Sequence, residues 1–343
     1  MTTAIHLTPQ QRGGTLTKFN RAVRSRPVLP HAHASAMIIK VLGSAAGGGF
    51  PQWNCNCRNC ADVRRGVAGL EPRTQSSLAV SVDGRNWTLI NASPDLRQQI
   101  SDHPELSPGY GDPLRSSPIR SVVLTNADID HIAGLLNLRE GQPLTIYADP
   151  RVLSALAGSP VFGVLDARYV ERAPIVNDAP FEPAGCPGLS IEGFPVPGKV
   201  ALYLEDESAW PDFGTAPGDT IGLKLVDRHT GRFACYVPGC AAVDEPLLRR
   251  MSGAAAILFD GTLYTDDEMI AQGLSQKTGR RMGHISMSGP EGSVAALARL
   301  DVGRRIFTHI NNSNPALRRG SPERAWVEAA GWEIAHDGME VLL

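Results

Sequence analysis

Thr125-Asn-Ala-Asp-Ile-Asp-His-Ile-Ala-Gly-Leu-Leu136 continues the apolar run Ser121-Val-Val-Leu-Thr125. The run reads as a buried strand, and the apolar residues after His131, with Gly134 among them, read as a helix. At the strand end Asn126, Asp128, Asp130 and His131 crowd oxygen and nitrogen donors together. Two carboxylates and an imidazole on a rigid element can aim several ligands at one metal ion. The plainer reading is an Asp-rich turn in which Asp130 caps the helix.

Three later segments have a similar form. Ile257-Leu-Phe-Asp260 is an apolar run that ends in a carboxylate, and Arg305-Ile-Phe-Thr-His309 ends in an imidazole. Met282-Gly-His284 places another imidazole on a Gly-flanked loop. Singly, Asp260 reads as a turn cap, His284 as a helix cap and His309 as a satisfied core histidine. Their shared placement argues for one site.

A second signal lies upstream in Cys55-Asn-Cys57-Arg-Asn-Cys60, after the loop Gly47-Gly-Gly-Phe-Pro51. Three thiols in a short knuckle can converge on one tetrahedral zinc, which would be structural because a closed thiolate site leaves no open position. A redox-active pair of Cys57 and Cys60 is the alternative. The fourth ligand stays open among Cys186, Cys235, Cys240, His336, Asp337 and the Asn311-Asn312 pair.

The 343 residues hold 42% hydrophobic side chains, 35 Gly and 26 Pro, which suits a globular, loop-rich chain with many short strands. A formal net charge of −2 gives no electrostatic reason for a nucleic-acid partner. No apolar stretch approaches the roughly 20 residues that span a bilayer. Six cysteines are too few for a disulfide scaffold, so a reducing compartment, the cytosol, is expected.

Residues 1–36 carry five Lys and Arg side chains at 12, 18, 21, 24 and 26 and no Asp or Glu. They read as a flexible N-terminal extension, with Met37 as a natural start, ahead of a single domain over 37–343. Strands are expected at 38–42, 77–82, 86–91, 121–125, 144–147, 200–204, 221–226, 233–237, 255–259, 305–308 and 339–343. Helices are expected at 56–65, 94–101, 131–138, 150–156, 243–251, 290–299 and 321–330. Val82-Asp-Gly-Arg85 marks a hairpin. Two packed sheets flanked by helices fit this order better than one doubly wound sheet.

A strand followed by a cluster ending Asp-His, with Asp or His at later strand ends, resembles the metallo-β-lactamase superfamily. More closely, the run from Val41 to Cys60, Arg73-Thr-Gln-Ser-Ser77, Asn91-Ala-Ser-Pro-Asp95, Thr125 to His131, Gly198-Lys-Val-Ala-Leu-Tyr-Leu-Glu205 and Thr308-His-Ile-Asn-Asn312 resemble the pyrroloquinoline quinone (PQQ) biosynthesis protein B family. The likeness covers about 37 to 343. It implies an α+β, metallo-β-lactamase-like four-layer αββα sandwich with the metal site at the edge shared by two sheets.

The departures bear on mechanism. Superfamily hydrolases carry His-x-His-x-Asp-His where this chain has Asn126, Asp128, Asp130 and His131. Their further His is Lys199 here, and their bridging Asp falls at Val237-Pro-Gly-Cys240. What remains, Asp128, Asp130, His131 and His309, with Asp95 or Asp260 as additions, suits one harder ion, Fe(II), with Mn or Zn as alternatives. The resemblance implies an iron- and O2-dependent hydroxylase acting on the tyrosine ring of a small Glu-Tyr-derived precursor. In that reading His284 is an acid or base, and Lys199 holds an anionic substrate group. Other PQQ biosynthesis proteins are the expected partners. The alternatives are a soluble carrier assisting transport of PQQ or its precursor to the periplasm, and an ordinary hydrolase weakened by its lost histidines.

Overall fold

The computed structural model describes residues 36–343 apart from Trp210, so the expectation for residues 1–36 lies almost wholly outside the described residues. Fourteen strands run β1 Ile38–Gly43, β2 Ser77–Ser81, β3 Trp87–Ile90, β4 Ile119–Val123, β5 Leu144–Ala148, β6 Val170–Pro174, β7 Pro180–Phe181, β8 Leu189–Pro195, β9 Ile221–Asp227, β10 Phe233–Val237, β11 Ala256–Asp260, β12 Arg304–Thr308, β13 Trp332–Ile334 and β14 Glu340–Leu342. The α-helices are α1 Arg58–Arg64, α2 Leu96–Asp102, α3 Ile129–Ile132, α4 Pro150–Gly158, α5 Glu245–Met251, α6 Glu268–Ala271, α7 Ser293–Ala296 and α8 Pro322–Ala329.

The strands form two seven-stranded sheets, ordered β14-β1-β2-β3-β4-β5-β6 and β13-β12-β11-β10-β9-β8-β7. Each sheet is antiparallel at one side and parallel at the other: β3 to β6 in the first, β10 to β13 in the second. Parallel neighbours need a crossover, and helices supply it on the outer faces. The apolar side chains sort accordingly into three layers. Ile39, Val41, Leu78, Val80, Leu223 and Leu258 pack between the sheets. Leu42, Ala79, Leu89, Val122 and Ile146 face the helical layer over the first sheet. Ile257, Phe259, Phe307 and Trp332 do so over the second. This is the four-layer αββα sandwich. Central strands lie buried on both faces, which is why every residue of β2 and β11 is buried and β11 is apolar up to its terminal Asp260.

Carboxyl ends of parallel strands are where open α/β sheets place ligands. Here β4 ends before Asn126 and His131, β11 ends in Asp260, and β12 ends before His309. Two isolated bridges join the sheets at this end, Ala45 with Ile310 and Asn126 with Thr220. The helix bearing His131 is pressed against the loop after β3: Ala92 N–H donates to His131 O at 2.7 Å, and Gly134 N–H to Ala92 O at 2.8 Å. A Cβ on Gly134 would stand 2.0 Å from Ser93 O, so only glycine permits this approach.

One expected strand is absent. Residues 200–204 form a 3-10 turn at Leu202–Leu204, and all three of those side chains are exposed. An apolar, β-prone composition marks a cavity rim there, not a core strand. Conversely β6, β7, β8 and β13 were not anticipated. Edge position, Pro174 and the polar Glu171 and Arg172 hide β6. The alternation of Leu189-Ser-Ile-Glu was readable in β8.

Candidate metal centre

Asp130, His131 and His309 converge, each offering a ligand atom within 4.8 Å of the others. His131 is buried, and its Nδ1–H donates to Asn126 Oδ1 at 2.7 Å. That bond fixes the tautomer and leaves Nε2 as a lone-pair donor. Nε2 is buried and has no hydrogen-bond partner. A buried acceptor left unpaired is costly unless an ion meets it, so the donor set fits a cation. Asn126 is held by its neighbours as well: its Oδ1 accepts from Asp128 N–H at 3.0 Å, and its Nδ2 donates to Asp128 Oδ2 at 3.0 Å.

His309 sits at φ +55°, a left-handed conformation uncommon outside glycine that histidine tolerates better than most residues. Its Nδ1–H donates to Thr262 Oγ1 at 2.9 Å, and its Nε2 lies 3.1 Å from Asp130 Oδ2. Burial alone would lower the His309 pKa, but the hydrogen bond and charge of Asp130, with Asp260 and Asp128 behind it, raise it above the usual histidine value. Burial opposes ionisation of Asp130, yet His131 and His309 hold its carboxyl well below the usual range. Burial depresses His131. Thus a proton on His309 neutralises Asp130 where a divalent ion would otherwise do so.

The other expected residues divide. His284 Nδ1–H donates to Asp260 Oδ2 at 2.8 Å, which leaves its Nε2 for the cavity. Asp260 is fully buried and saturated by protein donors: Cys240 N–H at 2.9 Å, Thr262 N–H at 3.0 Å and Thr262 Oγ1–H at 2.6 Å, besides His284. It orients His284, although its carboxylate also lies within ligand range of His284 and His309. Asp128 stands at the rim, 3.5 Å from Lys199 Nζ, outside the converging three. Asp95 does not join them. Its Oδ2 accepts from Gln75 N–H at 2.9 Å and Gln75 Nε2 at 3.0 Å, and Gln75 Oε1 in turn accepts from Gly48 N–H at 2.9 Å. Thr262 and Asn126 do the orienting, and neither role is visible without contacts; Thr262 falls two residues after a strand-end carboxylate, which is the one available hint.

These groups open on a cavity of about 490 Å³ that also takes in Lys199, Glu205, Lys277 and Arg281, with Leu202, Met269 and Met282 as apolar wall.

The "Beta-lactamase superfamily domain" model matches residues 86–310. The coenzyme PQQ synthesis protein B of Methylobacterium radiotolerans is 53% identical over 307 residues, covering 90% of this chain and 100% of that protein. The chain belongs to the PQQ synthesis protein B family. A second member, from Rhizobium meliloti, is 54% identical over 309 residues, covering 90% of this chain and 99% of its own. Among solved structures, Zn(2+)-bound PqqB from Methylobacterium extorquens has a TM-score of 0.85 at 51% identity, covering 89% of this chain and 100% of that one. A diphosphatase of the PhnP family, at 20% identity and TM-score 0.61 over 90% of this chain and 97% of its own, shares the fold alone.

A second cluster in this chain is the cysteine knuckle. Cys55, Cys57 and Cys60 group within ligand range and none is in a disulfide. The Asn312 amide reaches all three sulfurs, at 3.1, 3.7 and 3.2 Å. Of the open choices for a fourth ligand, only the Asn312 side chain reaches the sulfurs, and it does so as a donor, its Nδ2 facing all three. Cys235 and Cys240 lie in the core, Cys186 contacts Thr88, His336 is exposed, and Asp337 binds Ser44 and Thr74. Burial, then the adjacent thiols, push Cys57 up to about 12, whereas hydrogen bonds from its neighbours lower Cys55 despite burial. Thiols so crowded share protons poorly, and a cation would replace those protons.

A further buried acid is Glu268, whose Oε1 accepts from Ser313 Oγ at 2.5 Å and whose Oε2 accepts from Tyr264 N–H at 2.7 Å. Burial pushes its pKa from 4.5 up to about 7. The fold therefore disfavours the ionised form. Stability is greatest at or below pH 4.5 as far as this group is concerned, declines as pH rises toward 7, and is flat above. Glu268→Gln, which removes the titrating group, should flatten that slope. Denaturant midpoints of both proteins between pH 5 and 8 check it; parallel curves would contradict it.

Proposed function

We propose that this chain is a metal-dependent oxygenase of PQQ biosynthesis that hydroxylates the tyrosine ring of a small Glu-Tyr-derived precursor, with Fe(II) held by Asp130, His131 and His309. The observation that carries the metal assignment is the buried, unpartnered Nε2 of His131 beside Asp130 and His309. Two imidazoles and one carboxylate with open positions are the set used by non-haem iron oxygenases. Bound iron would supply activation of O2; zinc or manganese would fill the same donors. The family name, and the Zn(2+) in the relative's structure, support a metal and a place in PQQ synthesis.

The chain's own groups fit the rest. Leu202, Met269 and Met282 offer an apolar wall on which a phenol ring can lie. His284, steadied by Asp260, can take the phenolic proton at its Nε2. Lys199 sits where it can meet a substrate carboxylate. Asp95, through Gln75, steadies the Gly48 loop that borders the cavity. The cysteine knuckle holds a structural zinc. Hydroxylation inserts one oxygen atom into a ring C–H bond and sends the other to water, so an external two-electron reductant is required. No helix among the described residues is long and apolar enough to cross a membrane, and a cytosolic site of action with hand-over from other biosynthesis proteins is part of the proposal.

Loading the protein with Fe(II) without oxygen, then adding L-Glu-L-Tyr, ascorbate and O2, should give a catechol. Fully loaded protein that binds the peptide but forms no catechol overturns the oxygenase and leaves a carrier.

A further inference from the structure

Three cations line the cavity, Lys199, Lys277 and Arg281, and they are held very differently. Arg281 is committed. Its guanidinium meets Glu205 through two bonds of 3.0 and 2.9 Å and lies 3.6 Å over the Phe213 ring. That bidentate pair occupies the Glu205 carboxylate and fixes the guanidinium's direction. The two ammonium groups are loose. Lys277 Nζ is 4.0 Å from Glu205, beyond hydrogen-bond range. Lys199 Nζ is 3.5 Å from Asp128 and 3.3 Å from Val200 O, and the other Asp128 oxygen already accepts from Asn126. An ammonium has three donors, so both retain capacity on the cavity side.

The fold also sets the two lysines in one framework. Gly283, at φ +86°, closes the loop that carries Lys277, and a Cβ there would come within 2.9 Å of Lys199 Cγ. Arg281, on the same loop, ties it to Glu205. The Lys199 stem therefore packs on the backbone that presents Lys277. The charge balance points the same way. Against the three cations stand Asp128, Asp130 and Glu205, so with a divalent ion bound and His309 neutral the lining carries a net charge of +2. A volume of about 490 Å³ admits a molecule of dipeptide size.

We propose that Lys199 and Lys277 form a paired carboxylate subsite, so that the cavity selects a substrate bearing two carboxylates and holds it beside the metal ligands. This rests on the small acidic peptide reading of the same cavity, and it assigns one lysine to each of the two acidic ends. Lysine suits the task because its compact, mobile ammonium can follow a carboxylate that the fixed Arg281 fork cannot meet.

The test is calorimetric titration of the zinc-loaded full chain, which involves no O2 chemistry, with L-Glu-L-Tyr, L-Gln-L-Tyr and L-Glu-L-tyrosinamide. Lys277→Met and Lys199→Met should each weaken Glu-Tyr binding about tenfold, as expected for loss of one charge-assisted contact. Each should leave one of the two amides within twofold of wild type, a different amide for each lysine. Zinc content and thermal midpoint, unchanged, show that the variants fold. Equal weakening of all three peptides by both variants overturns the subsite, as does no effect, or a wild type that binds none of the three. The oxygenase reading fails separately, by absence of catechol from iron-loaded protein that passes this charge-matching test.

Discussion

His131→Ala is expected to empty the aspartate–histidine pocket and end catechol formation while the cysteine knuckle keeps its zinc. Removing a group that merely orients a metal ligand costs about 10- to 100-fold in affinity or activity. Asn126→Ala, which frees the His131 tautomer, should fall in that range. His131→Ala takes away the ligand atom and should exceed it, and Asp130→Ala should do the same. Asp130 has a further consequence: without its carboxylate the buried His309 loses the hydrogen bond that its Nε2 shares with Asp130 Oδ2. Metal analysis of protein purified without oxygen, together with product assay, checks this. Wild-type iron content in His131→Ala would remove the metal centre from this position.

Cys57→Ser is expected to lower zinc content and thermal stability together. A structural zinc contributes roughly 10–16 kcal/mol of folding free energy in isolated knuckles, and a lost thiolate forfeits several of these. The loss would spread through the fold. Asn312 touches the three sulfurs, Asn59 on α1 donates to Asn312 O at 3.2 Å and Asn314 O at 2.9 Å, and Asn314 Nδ2 donates to Gly261 O at 3.0 Å beside the buried Asp260. The knuckle thereby anchors the segment that follows His309. Asn312→Ala should reproduce part of the effect, since it removes the fourth convergent group. Unchanged zinc in Cys57→Ser would contradict the knuckle assignment.

The sequence made much of this legible because strand burial and ligand placement share one cause. Strand ends covered on both faces must be apolar, so the carboxyl ends of β4, β11 and β12 announce themselves, and Asn126, Thr262 and His309 a few residues beyond reach the cavity. Asp130, His131 and His309 could therefore be read together. The sorting of carboxylates could not. Asp128, Asp130 and Asp260 look alike on paper, but Lys199 holds the first loosely, His309 faces the second, and four donors saturate the third. Asp95 was drawn in by its motif, yet its carboxylate serves Gln75. Local apolarity misled at 200–204 because a cavity rim and a strand can share a composition. Lys277 carried no signal at all, since a lone lysine in Ser275-Gln-Lys-Thr278 resembles any surface loop.

The ligands for the proposed ion come from opposite halves of the sandwich, Asp130 and His131 beyond a strand of the first sheet and His309 beyond one of the second. Apart from packing, the backbone stitches this seam with the bridges Ala45 to Ile310 and Asn126 to Thr220. A cation there acts as a rivet between halves that are otherwise fastened by apolar contact and these few polar bonds. Its binding energy adds to the work of prying the sandwich apart, so heat resistance and ion occupancy rise and fall together. An architecture of this kind needs donors on both sides of the seam to keep the rivet in place.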